Sequence, residues 1–361
     1  MKSTQGISAV AVLSILWLCY TRNQLLSINS RNLGNATSTS INLPRHFSNL
    51  VDLDEFFKPD HDTTSITPFY WHIAKAAGTT VHTYYSQCYS LIEASEIGAF
   101  ASSHELKVVR KNGGENHVNV DTSNVQGIQH AKELGLVGSH MAQIVISPLF
   151  NDATKDLFSE EDRGVMFAMF RHPVQRVISL FYYLQGATWE PTFNPIYANM
   201  TILDYANSPL IESNFIIRSL VNKMEGPLSP DDVDMAKQIL KRKCLIGLVD
   251  EFDTSIKGFN DAFDFHPNFN VDVEGYTTRS AKEKRVGECV EQLSGDGDAG
   301  SNRHVHVKLS EDSEAYKIIQ RKNTWDMMLW EFIGDLYREQ QLSATEKDLG
   351  FQVSALRRNK K

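Results

Sequence analysis

The sequence predicts an α/β fold with a mostly parallel central sheet flanked by helices, and three observations carry that expectation. Three buried strand-like runs, at residues 67–73, 164–170 and 244–249, are rich in aromatic, aliphatic and β-branched residues. Segments of helical period lie between them. Strands that alternate with helices in this way form parallel sheets covered on both faces, and no internal repeat suggests another architecture.

The elements follow in chain order. Residues 7–20 (ISAVAVLSILWLCY) form the one sustained apolar segment, with Lys2 before it and Arg22 after it. Its 14 residues fall short of the roughly 20 that span an average bilayer, so a signal-peptide core stands beside a transmembrane signal anchor. The anchor is favoured because no A-x-A cleavage site follows. It leaves residues 1–6 cytosolic and the rest lumenal, in a single-pass type II arrangement of the Golgi membrane; a cleaved segment would make the chain secreted. Residues 21–64, rich in Asn, Ser and Thr, read as a stem. The folded domain is expected over 65–341.

The first strand leads into a helix opened by Gly78, with Val81, Tyr84, Tyr85 and Cys88 on one face. Residues 105–129 are polar and read as an exposed excursion. The second strand ends at Arg171, and Pro173 takes the first position of a helix whose stripe is Val174, Val177, Ile178 and Phe181. A helix closing in Lys241-Arg242-Lys243 precedes the third strand, its cations suited to a helix C-terminus. Residues 287–302 read as a loop. One last long helix carries Ile318, Ile319, Trp325, Met328, Leu329, Phe332, Ile333 and Leu336 at helical spacing, with Trp325 and Trp330 read as packing residues. Residues 342–361 read as a polar, frayed tail.

With 42% apolar residues the chain has the makings of a core, and its net charge of −8 argues against nucleic acid as a partner. An anionic ligand must therefore be met locally. Two sequons, at Asn35 and Asn199, suit a secretory lumen. Beyond the apolar segment, Cys88, Cys244 and Cys289 permit one disulfide and leave one thiol; no C-x-x-C spacing points to a metal or redox centre.

Two clusters carry the chemistry. His72-Ile73-Ala74-Lys75-Ala76-Ala77-Gly78-Thr79-Thr80 lies between a strand and a helix, where backbone N–H groups and a lysine make an anion cradle. It is not a Walker loop, which places Lys after its last Gly. Arg171-His172-Pro173-Val174-Gln175-Arg176-Val177-Ile178-Ser179 places an arginine at a strand's carboxyl end and a serine two helical turns on. Ligands of open α/β sheets bind at that end of the strands. Two anion sites after two strands suit a nucleotide phosphorylated at its 5′ and 3′ positions.

These clusters resemble the 5′-phosphosulfate and 3′-phosphate motifs of Golgi carbohydrate sulfotransferases that use 3′-phosphoadenosine-5′-phosphosulfate (PAPS). The first is similar to the H-x-P-K-T-G-G-T-T form of the heparan sulfate 2-O and 6-O enzymes, from which it departs at Ala74, Ala76 and Ala77. The second matches the family's R-x-P-x-x-R-x-x-S pattern throughout. Residues 247–259 and 321–340 resemble later landmarks. The resemblance implies a P-loop-NTPase-like sulfotransferase fold and PAPS as co-substrate, with no metal. It implies that Lys75, Ala76, Ala77, Gly78, Thr79 and Thr80 hold the 5′-phosphosulfate, that Arg171 and Ser179 hold the 3′-phosphate, and that Arg303 lies near the cofactor. Lys75 would also stabilise charge on the leaving oxygen. His140 sits where those enzymes place a catalytic histidine and is the expected base, with His72 the competitor. The acceptor implied is a carbohydrate, an anionic polysaccharide if Arg279, Lys282, Lys284 and Arg285 face it rather than solvent. A small-molecule kinase and a catalytically silent glycan-binding protein are the other classes considered.

Overall fold

A seven-stranded sheet of order β3-β4-β2-β5-β1-β6-β7 forms the centre of the computed structural model. The structure describes residues 41–58, 66–99, 104–111, 114–190, 193–268, 278–295 and 309–358, with the backbone alone at 294–295 and 343–358. The expected anchor at 7–20, the stem up to residue 40, the Asn35 sequon and Arg303 lie outside the described residues. Among the described residues no helix is long and apolar enough to cross a membrane.

The strands are β1 (Thr67–Trp71), β2 (Ile92–Ala94), β3 (Val108–Arg110), β4 (Asn116–Val118), β5 (Ile144–Ser147), β6 (Gly164–Phe170) and β7 (Cys244–Leu248). All neighbours pair in parallel except β3 with β4 at the edge. The period-two alternation of strand side chains sorts them onto two faces. Phe69, Trp71, Val145, Met166, Ala168 and Phe170 enter one apolar cluster; Tyr70, Ile144, Ile146, Val165, Phe167 and Met169 enter the other. Both faces are covered, so the central strands are apolar throughout.

Helices α1 (Gly78–Thr83), α2 (Val125–Glu133), α3 (Pro173–Leu184), α4 (Phe215–Leu220), α5 (Pro230–Lys243), α6 (Phe252–Phe263) and α7 (Arg279–Gly295) follow in order. α1 continues as a π-helical turn through Cys88. Pro173 opens α3 as expected, and Lys241, Arg242 and Lys243 close α5. The last helical region is two helices, α8 (Glu314–Lys322) and α9 (Thr324–Arg358), broken at Asn323. The break is built by exchanged caps. Asn323 accepts from the Asn214 N–H, the Asn214 side chain accepts from the Trp325 N–H, and buried Asp326 accepts from the N–H groups of Ile216 and Ile217. Each helix start thus has its orphan donors met by the other segment.

Four expectations are corrected. The compact unit begins at Leu43, not 65: Phe47, Leu50, Val51, Leu53 and Phe56 are buried, and Lys243 grips the segment through the Leu50 carbonyl and Asp52. The 105–129 excursion contributes β3, β4 and α2, with His117, Val118, Val120 and Ile128 buried. Residues 287–295, read as loop, are the end of α7, held by a Cys88–Cys289 disulfide, while Cys244 stays a buried free thiol. The polar segment after Gln341 continues α9 to Arg358.

Candidate functional site

β1 and β6 are neighbours in parallel register, Tyr70 opposite Phe167, so the two sequence clusters leave the sheet side by side at its carboxyl end. The chain from β1 travels towards β2 on one side and the chain from β6 towards β7 on the other. This divergence is a topological switch point, where open α/β sheets form a crevice.

The first cluster forms the turn from β1 into α1. Lys75 and Ala77 both have left-handed backbone, with φ of 65° and 61°. Such φ values cost a non-glycine residue roughly 1–2 kcal/mol. Ala77 stands where the resembling form has glycine, so the turn keeps the glycine-like conformation without the glycine. Gly78 has no such freedom to spare: a Cβ there would lie 2.0 Å from Cδ2 and Nε2 of His72, whose ring packs on the glycine. Ala76, Gly78 and Thr80 are buried, and Thr79 is exposed at the helix start. The first N–H groups of α1 have no partner within the helix and point out of its end.

The second cluster reaches back to the first. Arg171 donates from Nη1 to the Lys75 carbonyl at 3.4 Å, and Arg176 from Nη1 to the Ala74 carbonyl at 3.5 Å. Both are long contacts, but they come from two arginines five residues apart. Arg176 is fully buried, ion-paired with Glu212, and its guanidinium lies 4.8 Å from the Phe215 ring centre. Ser179 is fully buried two turns along α3.

Lys75 Nζ lies 4.1 Å from the centre of the Tyr183 ring, a cation–π contact, and the Tyr183 hydroxyl donates to Glu190 at 2.5 Å. Burial, then the neighbouring Arg171 guanidinium, pushes the Lys75 ammonium down to about 8, with Glu190 opposing. Burial also holds the His72 imidazole below its usual range; the nearby His82 and Lys75 charges add to this, while Glu96 and Glu190 act against it. A neutral imidazole at the loop is able to accept a proton.

His140 does not join this group. It lies in the turn before β5, exposed and with φ of 52°, and lines a cavity of about 310 Å³ with Thr67, Pro68, Gln143, Phe263 and His266. These residues mark the amino ends of β1 and β5. A five-residue strand rises about 16 Å, so the length of the sheet separates His140 from Lys75. His140, expected from the resemblance as the base, thus stands at the opposite end of the sheet from the loop, and His72 is the histidine at the loop. Arg171, Lys75 and the 76–80 turn lie together at the carboxyl ends of β1 and β6. Tyr183, Glu190 and the Arg176–Glu212 pair were not anticipated. Glu190 is a single carboxylate after a helix, with no spacing to mark it.

No family model matches the chain. It is similar to an uncharacterized protein of Archaeoglobus fulgidus, 24% identical over 229 residues that cover 60% of this chain and 80% of the other.

Proposed function

We propose that the chain is a PAPS-dependent sulfotransferase of the P-loop-like kind that acts on a carbohydrate hydroxyl in a secretory lumen. One observation carries the reading: an anion-binding turn with Lys75 after β1 and Arg171 after β6 meet at a switch point, joined by the Arg171–Lys75 contact. A nucleotide with a 5′-phosphosulfate over the turn and a 3′-phosphate at Arg171 matches two cationic sites of this kind. A kinase of related architecture needs a magnesium-binding carboxylate near the end of the neighbouring strand, and Arg171 stands there instead.

In the proposed reaction the acceptor oxygen bonds to sulfur as the bond from sulfur to the bridging 5′-phosphate oxygen breaks. The hydroxyl proton passes to a base, for which His72 is the candidate at the loop. Lys75 meets the charge that grows on the departing phosphate oxygen, where a preplaced cation lowers the barrier most. The Cys88–Cys289 bridge supports an oxidising compartment, and with the apolar segment at 7–20 it favours a Golgi membrane protein of type II topology. Exposed Arg279 and Lys284 pair with Glu283 and Glu288 one helical turn on, which makes them a solvated face rather than a polyanion groove.

The test is calorimetric titration with the desulfated product, 3′-phosphoadenosine-5′-phosphate, in magnesium-free buffer. Incubation with labelled PAPS and a panel of glycans, glycolipids and tyrosine peptides then identifies the acceptor. Binding of the bisphosphate and label in a glycan are expected. Binding of magnesium–ATP in place of the bisphosphate would move the chain to the kinases, and bisphosphate binding without transfer to any acceptor would make it a silent binder.

A further inference from the structure

Beyond the anion loop, α1 meets the β2–β4 pair of the sheet at a group of four ionisable side chains. Glu93 of β2 and His117 of β4 are register partners on parallel strands and point to the same side. Their side chains are wholly buried, that of Glu115 is 10% exposed, and that of His82 on α1 is 15% exposed. Two carboxylates and two imidazoles so placed are costly unless their charges are balanced where they stand.

The contacts have the pattern of a metal centre. His82 uses Nδ1 on Glu93, while its Nε2 is buried with no hydrogen-bond partner. Metal-bound histidines carry this arrangement, one nitrogen oriented by a carboxylate and the other on the ion. Glu115 is held at Oε1 by Gln87 Nε2 at 2.5 Å, which leaves Oε2 facing His117 Nε2 at 3.2 Å. Donors at 2.0–2.1 Å from a tetrahedral ion lie about 3.3 Å apart, so this hydrogen-bonded pair is already at a separation that two ligands of one ion would have. The His82 and His117 ring centres are 5.7 Å apart, and one donor atom from each of His82, Glu115 and His117 lies within 4.8 Å of the others.

We propose that His82, Glu115 and His117 bind one divalent transition-metal ion, zinc being the best match to two imidazoles and a carboxylate, with Glu93 and Gln87 as the residues that orient the ligands. The donor chemistry excludes the all-oxygen shells that calcium and magnesium take. The ion would neutralise the two carboxylates with the imidazoles uncharged, and it would fasten α1, whose first residues form the anion loop, to the edge of the sheet. The site is independent of the nucleotide reading: no donor belongs to the loop or to α3. It escapes inspection of spacing because its three ligands come from two segments more than thirty residues apart, His82 on one and Glu115-x-His117 on the other.

The experiment uses the untagged full chain, stripped with a chelator, dialysed and titrated with Zn²⁺ in competition with a chromophoric chelator; thermal midpoints are recorded with and without the ion. One Zn²⁺ per chain and a rise in midpoint on addition are expected, and Co²⁺ should give visible d–d bands of tetrahedral intensity. Glu93→Gln should weaken binding by about 10–100-fold, the range for a lost orienting partner. Losses at least as large are expected for His82→Gln and Glu115→Gln, whereas His140→Gln should bind as the unaltered chain does. A stripped chain that takes up no Zn²⁺, or uptake unchanged in both His82→Gln and Glu115→Gln, overturns the proposal. Should those variants fail to fold, the titration of the unaltered chain decides, since it depends on no substitution.

Discussion

Replacing Lys75 by Arg tests the proposal that sulfuryl transfer depends on its charge. Burial, and then the Arg171 guanidinium beside it, pushes the Lys75 ammonium down to about 8, so its charge is lost at a lower pH than that of an ordinary lysine. At pKa about 8 it is roughly 90% protonated at pH 7 and roughly 10% at pH 9. The parameter kcat/KM for PAPS reports the free enzyme's groups, and so does the pH dependence of bisphosphate affinity. Both should fall about tenfold between pH 7 and pH 9 if the ammonium meets the phosphosulfate. The sign is fixed by the direction of the shift: lowering a lysine moves the loss of its cation down in pH, so the activity is lost on the alkaline side. In Lys75→Arg the cation persists throughout, since a guanidinium stays charged above pH 12, and the limb should vanish even where the rate drops. Removing Arg171 takes away a repulsive neighbour and should move the limb upwards. Initial rates with limiting labelled PAPS, and calorimetric titrations where no acceptor is at hand, give the two profiles. A flat profile from pH 7 to pH 9 in the unaltered chain, or a limb that survives in Lys75→Arg, would refute the assignment.

Other substitutions have equally definite outcomes. Arg171→Ala should weaken the 3′,5′-bisphosphate by about 10–100-fold, the worth of hydrogen bonds to a charged group, while 5′-AMP changes little in the same titration. His140→Ala should leave turnover and nucleotide affinity near those of the unaltered chain; a large loss of turnover with affinity intact would make His140, not His72, the base. Ala77→Gly should raise stability in urea melts by roughly 0.5–1 kcal/mol, the relief of left-handed strain less the entropy of an extra glycine in the unfolded chain. Cys88→Ser opens a link between residues 201 apart, and chain entropy sets the loss at up to about 5 kcal/mol in denaturant unfolding.

The parts of the fold legible in the sequence were those whose signal is local and long. β6, seven apolar residues ended by Arg171 and Pro173, has the bounds expected of it, and β1 and β7 differ from expectation only at their last residues. β2, β3 and β4 have three residues each, too few to show a period, and β4 carries Asn116 and His117, which read as surface. Their burial depends on partners distant in the chain. Leu43 to Phe57 failed for a related reason: the apolar residues are irregularly spaced, and what docks the segment is Lys243, some 190 residues away. The anion turn was legible because strand, lysine, glycine and helix start are contiguous. The base was not. A motif order gives sequence distance, and only the sheet shows which end of β5 His140 precedes. The break at Asn323 likewise needs Asn214, which periodicity within the helix cannot supply.

The burial of Arg176 has a consequence for how the nine-residue motif is interpreted in other chains. Its guanidinium lies 4.8 Å from the Phe215 ring centre, pairs with Glu212 and reaches the Ala74 carbonyl. This second arginine of the motif is thus a rivet between α3, the start of α4 and the turn. Val174, Val177 and Ile178 are wholly core. A descendant that abandoned chemistry would still need these positions to stay folded, and would go on matching the pattern long after Lys75 and Arg171 had drifted. Presence of the motif is therefore a statement about architecture, and under the proposed function Lys75 and Arg171 are the positions at which loss of activity would first become visible.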